Sequence, residues 1–232
     1  MGKRVLLIGG NSGIGGCLCD NLTEKGWEVI SICRSRKNLS SNVEFIEHDI
    51  ADFGTPLPEL NGHLDGLVYL PGSINLKPFK QLKIEDFQND LHINYLGAVR
   101  VIKNYLELFG KDAQSSIVLM SSVAAKVGLT FHASIASAKA AIEGLSRALA
   151  AELAPAVRIN VVAPSITNTP MASKLLDTSL KKEHSAKSHP LKGIADPEHI
   201  APSIAYLLSD DSKWMTGQVL HVDGGFSNLK PL

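Results

Sequence analysis

The sequence predicts an α/β protein built on one mostly parallel sheet of seven strands. Apolar runs of strand length alternate with helical segments along all 232 residues, and no linker or internal repeat interrupts the alternation. The first strand-length run leads into a glycine-rich turn and then into a helical pattern. Strands that alternate with helices pack as a parallel sheet covered on both faces. We therefore expect residues 1–232 to form a single doubly wound, Rossmann-type domain.

The first strand, 4–8, ends in a turn that contains Gly9, Gly13 and Gly15. Glycine adopts positive φ and carries no Cβ, so this turn can bend sharply and approach a ligand closely. The helix predicted at 14–25 directs its unpaired N–H groups and the positive end of its dipole at the turn, which suits a pyrophosphate. A tight turn without a ligand is the alternative. The candidate cofactor-binding residues of the turn are Gly9, Asn11, Ser12, Gly13, Ile14 and Gly15.

The elements that follow are predicted from β-branched runs and from helical periodicity. A β-branched run predicts strand two at 29–33, and only nine residues separate it from strand three at 43–47, so this crossover has little room for a helix. A proline-containing segment with one short helix is expected before strand four at 64–70. Strands five to seven are predicted at 116–120, 157–162 and 219–222, and the long helices at 84–109, 133–153 and 197–208.

Two further segments carry information. The stretch 167–195 is polar, lysine-bearing and long for a loop, and we expect a partly helical lid there whose lysines are solvated. The helix at 133–153 is rich in alanine, and small residues let another helix approach closely, within the subunit or between subunits.

Composition excludes several classes of function. Net charge is zero and no basic stripe is present, which argues against nucleic-acid binding. No apolar run approaches the ~20 residues of a membrane span. Three cysteines give no disulfide framework and eight histidines show no ligand spacing, so we expect no metal and a cytoplasmic location.

The carboxyl ends of the strands should form the ligand site, as in other doubly wound sheets. Arg34 follows the second strand, where folds that bind NAD usually place a carboxylate on the ribose hydroxyls. A guanidinium pairs well with a phosphate, so NADP is favoured over NAD. A surface arginine without a partner is the alternative. The strand ends carry Gly9, Arg34, Asp49, Pro71, Gly72, Ser122 and Pro164.

These motifs together resemble the short-chain dehydrogenase/reductase family over nearly the whole chain. The turn 8–15 matches the family's glycine motif, with isoleucine in place of its threonine, and 209–225 matches its C-terminal signature. The resemblance implies a role in binding the adenine for Asp49, in the proton relay for Asn94, and in the active site for Ser122 and Lys139. It also implies that Lys139 binds the cofactor, at the nicotinamide ribose. The segment 160–169 resembles the one that binds the nicotinamide amide, with Ser165 replacing a glycine. Its contact positions are Pro164, Ile166 and Thr169.

The sequence departs from the family at the proton donor. The family's tyrosine lies thirteen residues after the serine and four before the lysine, and both counts reach Ile135. His132 lies seven residues before Lys139, the spacing that enoyl reductases of this superfamily use for their tyrosine, so it is a candidate donor; an ordinary loop residue is the alternative. A second departure replaces the family's NNAG motif with 69–72, in the turn that lines the cofactor.

Two functions follow from the resemblance. The first is an NADP(H)-dependent oxidoreductase that acts on a small molecule, a carbonyl or alcohol or an activated alkene, with an atypical active site. The second is a non-catalytic NADP(H)-binding protein, a sensor or the inactive partner of an active paralogue. The family's intersubunit helix corresponds to 133–153, so a homo-oligomer, a tetramer, is also implied.

Overall fold

Seven strands form one sheet in the computed structural model, which describes residues 2–110 and 114–230. All neighbouring strands pair in parallel, in the order β3-β2-β1-β4-β5-β6-β7. The predicted fold class is therefore confirmed, with the sheet entirely parallel. The strands are Arg4–Ile8 (β1), Glu28–Cys33 (β2), Glu44–Glu47 (β3), Gly66–Tyr69 (β4), Ser115–Met120 (β5), Val157–Pro164 (β6) and Val219–Val222 (β7).

Helices cover both faces of this sheet. They are Gly13–Glu24 (α1), Ile84–Leu91 (α2), Gly97–Tyr105 (α3), Ala133–Leu153 (α4), Ser179–Ser188 (α5) and Pro197–Leu208 (α6). Alternate residues of the strands point into two separate cores, one against α3 and α4 and the other against α1 and α6. Because both faces are buried, β1, β4 and β5 are almost wholly apolar runs. No helix among the described residues is long and apolar enough to cross a membrane.

The helix predicted at 84–109 is not continuous. A π-helical segment, His92–Leu96, separates α2 from α3, and a short 3₁₀ turn, Leu106–Leu108, follows α3. The hydroxyl of Tyr69 donates a 2.6 Å hydrogen bond to the carbonyl of Ile93 inside the π segment. In a π-helical turn some backbone carbonyls lose their usual i→i−4 hydrogen-bond partner. The buried Tyr69 hydroxyl donates a hydrogen bond to one such carbonyl.

The short helix expected between β3 and β4 is absent: residues 51–65 form turns and extended chain. Pro56 and Pro58 remove two backbone donors there. The Asp52 carboxylate accepts hydrogen bonds from Gly54 N at 2.9 Å and from Thr55 Oγ1 at 2.6 Å. A side-chain-stabilised turn therefore replaces the helix.

The segment 167–195 is partly helical, as predicted. It contains a 3₁₀ helix, Pro170–Leu175, followed by α5. Its two ends meet, because Asn168 N donates to Ala195 O at 2.7 Å. The segment is therefore a loop that leaves the sheet at the carboxyl end of β6 and returns close to where it left.

Candidate active site

A cavity of about 980 Å³ opens at the carboxyl ends of the strands, where the sequence places the ligand site. It collects residues from nine separate stretches of the chain. The predicted residues that line it are Gly9, Asn11, Ser12, Gly13, Ile14, Gly15, Arg34, Asp49, Pro71, Gly72, Ser122, His132, Ile135, Lys139, Pro164, Ile166 and Thr169. Asn94 is buried behind this lining.

The glycine-rich turn is closely packed against the start of α1. Gly9 has φ 85°, a conformation that favours glycine. A Cβ at Gly15 would lie 2.3 Å from Gly9 O, so only glycine lets the helix sit on the turn. The side chain of the N-cap residue Ser12 makes no capping bond, and the first turn of α1 carries no acidic residue. The positive end of α1 is therefore free for an anion.

Arg34 lies exposed at the end of β2 and lines the same cavity. Among the described residues, no carboxylate forms an ion pair with it. The Asn11 amide donates to Ser35 O at 3.1 Å, which ties the glycine-rich turn to the chain beside Arg34. Asp49, at the end of the next strand, accepts a 3.0 Å bond from Ala51 N and faces the cavity. These groups lie at one end of the cavity.

Lys139 lies at the other end, on the second turn of α4. Its ammonium is buried and donates a 2.9 Å hydrogen bond to Met120 O at the end of β5. Burial lowers the pKa of Lys139 to about 8, and the negative charge of Asp90 partly opposes that shift. An ammonium carries three N–H donors, so two remain for a ligand or water.

Ser122 follows β5 and begins a 3₁₀ turn, Val123–Ala125. Its Oγ accepts a 3.2 Å bond from Ala124 N, and this contact fixes the side chain through an oxygen lone pair. The hydroxyl proton remains available, so Ser122 can donate a hydrogen bond to an oxygen atom in the cavity.

Asn94 lies in the π segment and is 1% exposed. Its Nδ2 donates to Ser73 Oγ at 2.9 Å and to Asp90 O at 2.8 Å, while its Oδ1 has no partner among the described residues. A Cβ at Gly72 would lie 3.1 Å from that Oδ1 and 3.5 Å from Lys139 Nζ. The backbone of Gly72 therefore lies close to both atoms, and a side chain there would crowd the Asn94 amide.

Ile135 occupies the cavity wall one helical turn before Lys139 and is 5% exposed. None of the four tyrosines of the chain is among the residues that line the cavity. Tyr69 is buried against α3 instead, so of the unusual turn 69–72 the cavity receives only Leu70, Pro71 and Gly72. His132 reaches the lining, and its Nδ1 contacts Thr130 O at 2.7 Å.

Two polar contacts near the cavity were not predicted from the sequence, although Ser165 was noted there as replacing a glycine. Asp90 is a buried carboxylate that accepts hydrogen bonds from Ser73 and Ser134. Ser165 Oγ lies 2.9 Å from Nε2 of His189, which follows α5. A carboxylate one turn before Asn94, on the face of α2 that meets α4, was a readable signal for the first pair. No signal was available for the second, because its members lie 24 residues apart.

A metal site is not formed by the described residues, among which no three potential ligands cluster. The segment that follows β6 brings Thr169 against the glycine-rich turn: a Cβ at Gly13 would lie 3.1 Å from its Cγ2. The cavity therefore has one end formed by the N-terminus of α1 and the Arg34 guanidinium, and another end that holds an ammonium, a hydroxyl and an amide.

The chain is similar to known proteins along nearly its whole length. A family model described as Enoyl-(Acyl carrier protein) reductase matches residues 8–227. L-xylulose reductase from Bos taurus is 31% identical over 235 residues, covering 97% of this chain and 96% of the relative. Short-chain dehydrogenase reductase 3c from Arabidopsis thaliana is 32% identical over 251 residues, covering 99% and 96%. The solved structure of ElxO with NADP bound is similar with a TM-score of 0.82 at 26% identity, covering 97% of this chain and 99% of that one. With a match along nearly its whole length, the chain belongs to the short-chain dehydrogenase/reductase family.

Proposed function

We propose that this protein is an NADP(H)-dependent oxidoreductase that acts on a small carbonyl compound, the corresponding alcohol or an activated alkene. One observation carries the proposal: Ser122 and Lys139 line the same cavity as the glycine-rich turn. A cofactor held by the turn would therefore reach the groups that can polarise and protonate a substrate oxygen.

The described residues fit the cofactor at both ends. The free N-terminus of α1 suits the pyrophosphate, and the unpaired guanidinium of Arg34 suits the 2′-phosphate that distinguishes NADP from NAD. Asp49 would contact the adenine, and Pro164, Ile166 and Thr169 would contact the nicotinamide amide. A related structure, ElxO, is solved with NADP bound, which supports the same preference here.

The chemistry divides between the cofactor and the chain. When bound, the reduced nicotinamide supplies a hydride. Ser122 donates a hydrogen bond to the substrate oxygen, which draws electron density toward that atom as the carbonyl is reduced. Lys139 would supply positive charge near the same oxygen, and Asn94 Oδ1, which has no partner among the described residues, would accept a hydrogen bond from a water of the proton relay. The names of the relatives cover sugars and enoyl thioesters, so both classes belong in a substrate screen.

A non-catalytic NADP(H)-binding protein is the second candidate, and Ile135 favours it. We propose that Ile135 stands where the family has its proton-donating tyrosine, and an alkyl side chain supplies neither a proton nor a dipole. General acid catalysis contributes about 10²–10⁴ in rate, so loss of the donor would leave binding intact and turnover poor.

A substrate screen separates the two candidates. NADPH oxidation is followed at high protein concentration over ketones, sugars, quinones and enoyl thioesters, and NADPH binding is measured in parallel. The enzyme proposal expects turnover of at least one class, lost in the matched variant Ser122→Ala, which retains NADPH binding. Tight NADPH binding without turnover of any substrate class would instead support the non-catalytic NADP(H)-binding protein.

A further inference from the structure

Asp90 is a buried carboxylate at the back of the cavity. It lies on α2, is 2% exposed and accepts a hydrogen bond at each oxygen, from Ser73 Oγ at Oδ1 and from Ser134 Oγ at Oδ2. Both hydroxyls are donors in these bonds, so each carboxylate oxygen has a partner. A buried charge is costly unless it is paired or hydrogen-bonded, so its position calls for an explanation.

The groups around Asp90 are those of the active site. Ser134 is on the first turn of α4, immediately before Ile135 and five residues before Lys139. Ser73 accepts the 2.9 Å bond from Asn94 Nδ2 and follows Gly72, which faces Lys139 Nζ. The carboxylate therefore stands behind the wall of the cavity that the family's tyrosine would occupy.

We propose that Asp90 is a positioning residue whose buried negative charge keeps Lys139 protonated, and that Lys139 supplies the proton which a tyrosine would otherwise supply. The second half rests on the proposed oxidoreductase function. The first half concerns the charge state of this chain alone.

The proposed step balances without a further reactant. Hydride from the bound reduced nicotinamide forms a C–H bond at the carbonyl carbon, and the electrons of the C=O π bond move onto the oxygen. An N–H bond of the Lys139 ammonium breaks and the proton forms the O–H bond of the alcohol, leaving a neutral amine. Solvent water returns a proton to that amine.

Lys139 is suited to this role because it can change charge near neutrality. Burial brings its pKa to about 8, so it is mostly protonated at pH 7 and can release a proton readily. Its ammonium uses one donor on Met120 O and keeps two for the cavity. The family's tyrosine would stand at position 135, where the apolar side chain of Ile135 cannot donate a proton. The Lys139 ammonium is then the neighbouring group that can.

Other charged groups near Lys139 have partners of their own. On α2, Asp86 pairs with Lys77 at 2.7 Å; on α4, Glu143 accepts from Ser121 at 2.7 Å. Further titratable groups in this region are His92 of the π segment, bound to Ala51 O, and Arg158 of β6, bound to Leu207 O and Ser209 O. The cavity lining adds Cys33, Arg34, His48, Asp49, His132, Lys181, His184 and His189. The charge that raises the pKa of Lys139 is that of Asp90.

The charge effect is tested on the free protein by NMR. Lysine side chains labelled with ¹³C and ¹⁵N are titrated, and Lys139→Gln assigns the resonance. We expect a Lys139 pKa well below the ordinary value near 10.4 in the wild type, and a further fall of about 1 or more in Asp90→Asn. Asp86→Asn, one turn earlier on α2, is the matched control and should leave it unchanged. An ordinary pKa in the wild type, or equal shifts in both variants, would overturn the proposal.

Asp90→Asn is isosteric: one serine hydroxyl keeps donating to the amide oxygen, and the other turns to accept from the amide nitrogen. Asp90→Ser provides a second uncharged variant. With a substrate from the screen, the reduction rate should fall as pH rises through the measured pKa. In Asp90→Asn this fall should move to lower pH by the same amount, with the Kd for NADPH unchanged. A rate profile that does not follow the Lys139 pKa would overturn the donor role. No turnover of any compound would overturn the proposed function and the donor role together, while a lowered Lys139 pKa in Asp90→Asn would still uphold the counter-charge.

Discussion

Ser165 Oγ and His189 Nε2 lie 2.9 Å apart, and both residues line the cavity. The other ring nitrogen, Nδ1, lies 2.7 Å from Ser185 O, which can only accept, so Nδ1 carries the proton and Nε2 accepts from the serine. Ser165 follows β6, whereas His189 follows α5. This hydrogen bond therefore joins the end of α5 to the segment that follows β6.

Loss of that bond should loosen α5. A neutral hydrogen bond contributes about 0.5–1.5 kcal/mol, so Ser165→Ala should raise hydrogen exchange in Ser179–Ser188 by about 2- to 13-fold. Ser185→Ala is the matched control, because only the backbone carbonyl of Ser185 contacts the histidine. Exchange that rises equally in both variants, or in neither, would contradict the role of Ser165.

Arg34 should set the preference for NADPH. A charge-assisted contact with the 2′-phosphate contributes about 1.5–3 kcal/mol, so Arg34→Ala should weaken NADPH binding by about 10- to 150-fold and leave NADH binding unchanged. Titration of nicotinamide fluorescence measures both affinities. Arg36→Ala is the control, since Arg36 does not line the cavity and lies over Phe45. Equal affinity of the wild type for the two cofactors would refute the assignment.

Restoring a phenol at position 135 should raise or create carbonyl reduction. Ile135 faces the cavity one turn before Lys139, so Ile135→Tyr should recover part of the 10²–10⁴ that general acid catalysis supplies. Ile135→Phe controls for ring size without the hydroxyl. If wild-type activity is instead abolished by His132→Ala and unaffected by Ile135→Tyr, the donor is His132.

Tyr69 and Gly97 should be coupled. A Cβ at Gly97 would lie 2.1 Å from Tyr69 Oη, so Gly97→Ala must displace the hydroxyl that binds Ile93 O. Burial raises the pKa of Tyr69, which keeps the hydroxyl protonated and able to donate. Chemical denaturation should show that Gly97→Ala destabilises the wild type by about 1–3 kcal/mol more than it destabilises Tyr69→Phe. Additive free energies of unfolding would show that the hydroxyl does not hold the π segment.

Assembly can be tested at Gly144 on α4. This glycine is exposed, and nothing lies within 4 Å of a Cβ placed there, so Gly144→Arg fits the isolated subunit. We propose that the exposed small residues of α4 pack against a second subunit. Light scattering should then give a tetramer for the wild type and a smaller species for Gly144→Arg, whereas Gly128→Arg, also in open space, should not change the mass. A wild-type monomer would refute the proposal.

The sequence alone determined most of the architecture of this protein. Hydrophobic periodicity and glycine and proline positions placed all seven strands, and they placed α4, α6 and β7 at the observed residues. The glycine-rich turn, the strand ends and the resemblance to the family together named seventeen residues that the structure places in the cavity lining. The positions of the strands and helices are local features: each depends on which face of one strand or helix is buried, and residue order encodes that directly.

Only the tertiary structure decided how the polar groups pair. The π segment accepts a hydrogen bond from a hydroxyl 24 residues away. The Asp90 carboxylate accepts from serines 17 and 44 residues away, and Ser165 forms a hydrogen bond with a histidine beyond α5. A polar side chain bonds with whichever partner the folded chain brings within about 3 Å. That distance depends on how separate helices, strands and loops pack against one another. The hydrophobic periodicity of a single sequence carries no information about it.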